Sequence, residues 1–215
     1  MSDKYRSQER YALSVEYSLD ALEASVILND TLQQIENYTY LGSNYTQMSM
    51  SKKAIDYYKK AIELYETSKI ENDFISYTYY DIGFEYLEIQ EYDKAKKYFE
   101  GGNAFFHLSN NKDLLNYGLF LKFKSEGAIL TGQGNYKAAI VKFLETNKYV
   151  NDNIYTLNNV NYRIAYCYQK LGDIKNSLHY GEKSFIGSAY DKKQIVLQRQ
   201  SLIFYTYPIQ SSEHL

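Results

Sequence analysis

The chain has 215 residues, 45% of them hydrophobic and 23% charged, with a formal net charge of −2. That composition suits one folded domain or two small ones and excludes disorder as the main state. The charge is a poor match for a phosphate backbone, which calls for clustered Lys and Arg, so no nucleic-acid partner is expected.

Reading from the N-terminus, MSDKYRSQER is charged where a signal peptide needs an apolar core, and no apolar run reaches the length of a membrane span. No membrane insertion by this segment is expected. Tyr11, Val15, Leu19, Leu22 and Val26 then fall at 0, +4, +8, +11 and +15, one stripe of a helix over residues 11–30.

From residue 35 a pattern sets in. Gly42, Tyr45, Ala54, Tyr58 and Ala61 stand at offsets 0, +3, +12, +16 and +19 within residues 35–68. The same offsets give Gly83, Tyr86, Ala95, Phe99 and Gly102 within 76–109, then Gly127, Leu130, Ala139, Phe143 and Thr146 within 120–153. Ala165, Tyr168, Ser177, Gly181 and Ser184 complete the series within 158–191. The copies return at intervals of roughly 40 residues, with fixed internal spacing and variable connections. Small residues at 0, +12 and +19 suit the close crossing of two antiparallel helices, while the bulky ones at +3 and +16 fill the space beside it.

Each copy is therefore expected to be a helical hairpin. Gly132-Gln-Gly-Asn135 and Leu171-Gly-Asp173 serve as turns inside hairpins, and Asn29-Asp30, Asn72-Asp73, Asn110-Asn111 and Asn151-Asp152 as helix starts between them. A last segment, 192–207, reads as the first helix of an unfinished repeat, ahead of Pro208, the chain's single proline.

Tyr38, Leu41, Gly42, Tyr45, Ala54, Tyr58 and Ala61, echoed by Tyr79, Ile82, Gly83, Tyr86, Ala95 and Phe99, resemble the signature of tetratricopeptide (TPR) repeats. The third copy departs from it at Glu126, the fourth at Asn161 and Gly181. The resemblance implies an all-α, right-handed superhelical solenoid of antiparallel helix pairs, about nine helices in all. Because the pattern starts and stops within a repeat, a fragment of a longer protein is expected.

Catalytic chemistry finds no foothold. His107, His179 and His214 lie far apart, the single cysteine, Cys167, has no base assigned to it, and no phosphate-loop lysine follows Gly132-Gln-Gly. Neither enzyme activity nor a metal or cofactor is expected. Asn37-Tyr-Thr and Asn44-Tyr-Thr match a glycosylation pattern inside a helix and are set aside. Most of the 26 tyrosines are assigned to the architecture, as amphipathic filler for partly covered helix faces.

The resemblance also implies a groove lined by the first helices of successive repeats. In the second copy Tyr77, Tyr80 and Phe84 form a second aromatic stripe beside the core one, and the fourth offers Asn159, Tyr162 and Tyr166 followed by Gln169 and Lys170. Together with Lys124 these are the expected contacts for a protein or peptide segment that is extended and partly apolar, the lysines holding a carboxylate. The basic clamp by which some family members hold chaperone C-termini is not expected, since Lys124 is the one basic residue among the groove positions of the first and third copies. The repeat spacing resembles the sensory regions of bacterial signalling and transcriptional regulators. That implies a cytoplasmic location, or a periplasmic one if the parent is a membrane sensor. A scaffold closed by a second copy of the chain, a homodimer, is the competing reading.

Overall fold

The computed structural model describes residues 2–70, 75–107, 111–149 and 154–184. Among them are nine α-helices and no strand: α1 (Ser2–Ile27), α2 (Thr31–Gln47), α3 (Ser51–Ser68), α4 (Ile75–Glu88), α5 (Tyr92–His107), α6 (Lys112–Gly132), α7 (Tyr136–Glu145), α8 (Ile154–Lys170) and α9 (Ile174–Lys183). The caps expected at Asn72-Asp73, Asn110 and Asn151-Asp152 and the helix expected over 192–207 lie outside the described residues. The chain divides into two compact units, Met1–Leu115 and Asn116–Leu215.

Four hairpins, α2/α3, α4/α5, α6/α7 and α8/α9, share one turn. The residue at offset +7 is left-handed in each: Ser49 (φ 58°), Gln90 (φ 62°), Gly134 (φ 76°) and Gly172 (φ 74°). The next amide then closes the turn on the carbonyl at +3, with Met50 N–H to Tyr45 O at 2.9 Å, Glu91 to Tyr86 at 2.9 Å, Asn135 to Leu130 at 2.8 Å and Asp173 to Tyr168 at 3.0 Å. Glycine takes such a φ without steric cost, whereas Ser49 and Gln90 carry a Cβ into it. Gln90→Gly is expected to raise stability by about 0.5–1 kcal/mol, the relief of strain exceeding the entropy that glycine adds to the unfolded chain. Equilibrium denaturation in urea reads this directly, and a lowered midpoint would contradict it.

Helix starts agree with the expected capping where they are described. The Asp30 carboxylate accepts from the Gln33 amide at 3.1 Å, and the Asn111 side chain accepts from Asp113 N–H at 2.9 Å. Inside the fourth hairpin, Asp173 accepts from the Asn176 backbone at 3.0 Å and from its side chain at 2.7 Å. The backbone bond is the main reason its carboxyl titrates below the ordinary range. This cap is fully in place above the ordinary carboxylate pKa and is lost as pH falls through the depressed value.

The small residues of the repeat are buried as expected: Ala54, Ala61, Ala95 and Ala139 are inaccessible. The aromatic at +16, however, lies on the glycine at 0 rather than beside the crossing. A methyl built on Gly42 would stand 2.5 Å from the Tyr58 ring, one on Gly83 2.5 Å from Phe99, and one on Gly127 2.6 Å from Phe143. In the fourth hairpin the pair is inverted. Ala165 occupies offset 0 and Gly181 offset +16, both buried, and Ser177 at +12 donates its hydroxyl to the Ala165 carbonyl at 3.0 Å.

Tyrosines at +3 and +15 form a second repeated contact across the hairpin. Tyr45 stacks on Tyr57 with centroids 5.3 Å apart, Tyr86 on Tyr98 at 5.3 Å and Tyr168 on Tyr180 at 5.6 Å. Lysines cover these stacks: Lys53 lies 5.2 Å from Tyr45, Lys60 5.0 Å from Tyr57, Lys94 5.6 Å from Tyr86 and Lys183 5.1 Å from Tyr180. The third hairpin has Leu130 and Lys142 at these offsets. There Lys142 meets the Glu126 carboxylate at 2.7 Å, which gives a role to the residue that departs from the repeat signature.

The stripe expected on α1 is only partly covered. Tyr11, Val15 and Leu22 are half-buried, but Leu19 and Val26 are exposed, and the side that meets α2 carries serines. Ser14 donates to Asn44 Oδ1 at 3.1 Å, the Asn44 amide donates to Ser18 at 3.4 Å, and Gln34 donates to the Ser25 carbonyl at 3.2 Å. Polar pairing thus joins the half-buried apolar residues at this joint, and it engages Asn44; Asn37 is buried in the same helix.

Candidate interaction face

The second-copy stripe belongs largely to the interior of its own hairpin. Tyr80 is 2% exposed, its ring 5.6 Å from Phe99 and 6.3 Å from Phe106, and its hydroxyl donates to Asn103 Oδ1. Space for it comes from Gly102, where a methyl would stand 2.8 Å from the Tyr80 ring. Gly101 makes the same room for Tyr79, at 2.7 Å. Tyr80 is therefore a core residue, and the Gly101-Gly102 pair is the sequence signal that could have placed it there. Tyr77 and Phe84 flank it half-buried, Tyr77 edge-on to Phe106 at 6.2 Å and Phe84 edge-on to Phe99 at 5.0 Å.

In the second unit the fourth-copy residues form a different surface. Along α8, Asn159, Tyr162, Tyr166 and Lys170 fall at 0, +3, +7 and +11 on one exposed side, with Gln169 half-buried at its edge. Val160, Ile164, Ala165 and Cys167 are buried. Tyr162 is 61% exposed and Tyr166 38%, in a helix otherwise anchored by a conventional apolar side. Tyr166 is held edge-on by Tyr136 at 6.4 Å and capped by the Lys170 ammonium at 5.4 Å, while Asn159 accepts from Arg163 at 3.3 Å. Lys124, on α6, is half-buried with its ammonium 6.0 Å from the Phe120 ring. The expected lysines thus each lie against an aromatic ring of their own helix.

This arrangement offers apolar area with little rotamer freedom, bordered by an amide and an ammonium group. It suits contact with a polypeptide. Among the described residues no group of three or more His, Cys, Asp and Glu side chains could hold a metal ion, and no helix is long and apolar enough to cross a membrane. Burial pushes the Cys167 thiol up from its ordinary pKa, and Thr131 lies 3.4 Å from its sulfur, the surroundings of a packed thiol rather than an activated one.

A family model for the tetratricopeptide repeat matches residues 35–68 and 76–101. Among solved structures, BtubC (BKLC) from P. vanneervenii is similar at 13% identity, with 98% of this chain and 82% of that chain covered and a TM-score of 0.64. The apo form of RapI is similar at 19% identity over 89% of this chain and 49% of that chain, with a TM-score of 0.56. The TPR-like repeats of a Podosopora anserina protein assigned as a kinesin light chain follow at 10% identity, 93% and 94% coverage and a TM-score of 0.58. These likenesses concern the fold, a TPR-like helical repeat. No curated protein sequence matches the chain significantly.

Proposed function

We propose, from the premise that a chain carrying tetratricopeptide repeats is a protein-interaction module, that this one binds an extended, partly apolar peptide or protein segment through α8. The observation that carries the reading is the pair of exposed rings, Tyr162 and Tyr166, on a helix whose core side is already filled. Tyrosines so placed supply the anchors on which binding energy concentrates. Lys124, Asn159, Gln169 and Lys170, all in the second unit, supply its polar contacts in this reading.

We further propose that the chain is the sensory or interaction region of a bacterial signalling or transcriptional regulator. Support comes from the roughly 40-residue repeat interval and from the likeness to apo RapI, of which the chain spans about half the length. The binding reading stands without this second step.

A panel of fluorescein-labelled synthetic peptides, with leucine or phenylalanine anchors and with or without an acidic C-terminus, tests the site by fluorescence anisotropy. Tyr162→Ala and Tyr166→Ala are each expected to weaken binding about tenfold or more. Stability should stay within about 0.5 kcal/mol for Tyr162→Ala, an exposed side chain, and fall by about 1 kcal/mol for Tyr166→Ala, which loses its contact with Tyr136. Equal binding by wild type and both variants would overturn the assignment.

A further inference from the structure

One exposed side of α1, flanking its serine joint, carries apolar residues and charge in a palindromic order. Leu13 is 50% exposed and Tyr17 66%, and Ala24 continues the line, also exposed, at helical spacing. Arg10 and Asp20, both exposed, bracket the first two, so that Arg10, Leu13, Tyr17 and Asp20 stand at 0, +3, +7 and +10 on one side. A cation precedes the apolar pair by one turn, and an anion follows it by one turn.

That order complements itself under a two-fold axis. A second copy of α1 laid antiparallel, with the axis at the level of residue 15, sets Arg10 opposite the partner's Asp20 and Leu13 opposite the partner's Tyr17, and repeats both contacts by symmetry. Parallel alignment would instead set Arg10 against Arg10 and Asp20 against Asp20. We propose that α1 is a self-association surface through which two copies of this chain form an antiparallel, two-fold dimer. The apolar pair supplies the attraction, and the charges fix direction and register. This proposal is independent of the α8 binding face.

Sedimentation equilibrium of the full chain over a range of concentrations is the test, with circular dichroism confirming unchanged helix content in every variant. The wild type is expected to dimerise, and Tyr17→Ser to weaken the dimer about tenfold or more by removing an interface aromatic. Arg10→Asp and Asp20→Arg, each placing two like-charge pairs across the axis, should weaken it to a similar or greater degree, about tenfold or more. The double reversal, R10D with D20R, should recover most of the loss. A wild type that stays monomeric at all concentrations overturns the proposal, as does a dimer indifferent to Tyr17→Ser. Losses that simply add in the double variant overturn the antiparallel register.

Discussion

Phe99→Ala is expected to lower the unfolding free energy by about 3–5 kcal/mol, the usual cost of emptying the space of a buried aromatic. The Phe99 ring is buried, covers Gly83 and touches Tyr80 and Phe84 at centroid distances of 5.6 and 5.0 Å, so its removal exposes a void to three neighbours at once. Urea denaturation followed by far-ultraviolet circular dichroism measures the change. A loss below about 1 kcal/mol, the scale of an ordinary surface change, would show that the ring does not hold α4 to α5.

Gly83→Ala should cost about 1–3 kcal/mol in the wild type, because its methyl would enter the Phe99 ring at 2.5 Å and drive the two helices apart. In the Phe99→Ala background the same substitution should be neutral or stabilising. The methyl then enters vacated space, and alanine is roughly 1 kcal/mol better than glycine inside a helix. A double-mutant cycle reads this reversal as a coupling energy. Costs that add without coupling would mean that glycine and ring are not in direct contact.

Much of the architecture was legible because the repeat constrains several levels together. Fixed offsets predicted the hairpins, Gly134 and Gly172 marked two turns, and Asp30 and Asn111 marked two helix starts, all of which the structure shows. Periodicity identifies the side of a helix that is covered but not which ring meets which residue. For that reason the seating of Tyr58, Phe99 and Phe143 on glycine, and the stacking of tyrosines at +3 on those at +15, were not foreseen. The left-handed turns at Ser49 and Gln90 were hidden for a related reason: neighbouring helices hold the turn whatever residue stands there. On α1 the apolar pattern predicted the helix, but the hydrogen bonds of Ser14, Ser18 and Asn44 at its joint with α2 leave no mark in periodicity.

The candidate face was legible in half. Spacing put Tyr162 and Tyr166 on the side of α8 opposite its core, and their exposure agrees. The same argument applied to α4 placed Tyr80 outside the core, although the helix is covered on two sides by α5 once Gly101 and Gly102 let the rings in. A second aromatic stripe signals a surface only when the facing helix has no matching small residues. α5 has them.

The inverted pair of the fourth hairpin bears on folding fidelity. Chains built from near-copies can misassemble by pairing a helix with the wrong counterpart, a characteristic failure of repeat proteins. Here α2, α4 and α6 each present a glycine to a ring, so among the first three hairpins an exchange of partners would meet no steric objection at this contact. In an exchange with α8, the Ala165 methyl would collide with a ring. In an exchange with α9, a glycine would face Gly181 and leave the space of an entire aromatic side chain empty. Both errors carry a large penalty, so the fourth hairpin discriminates by shape against every counterpart but its own.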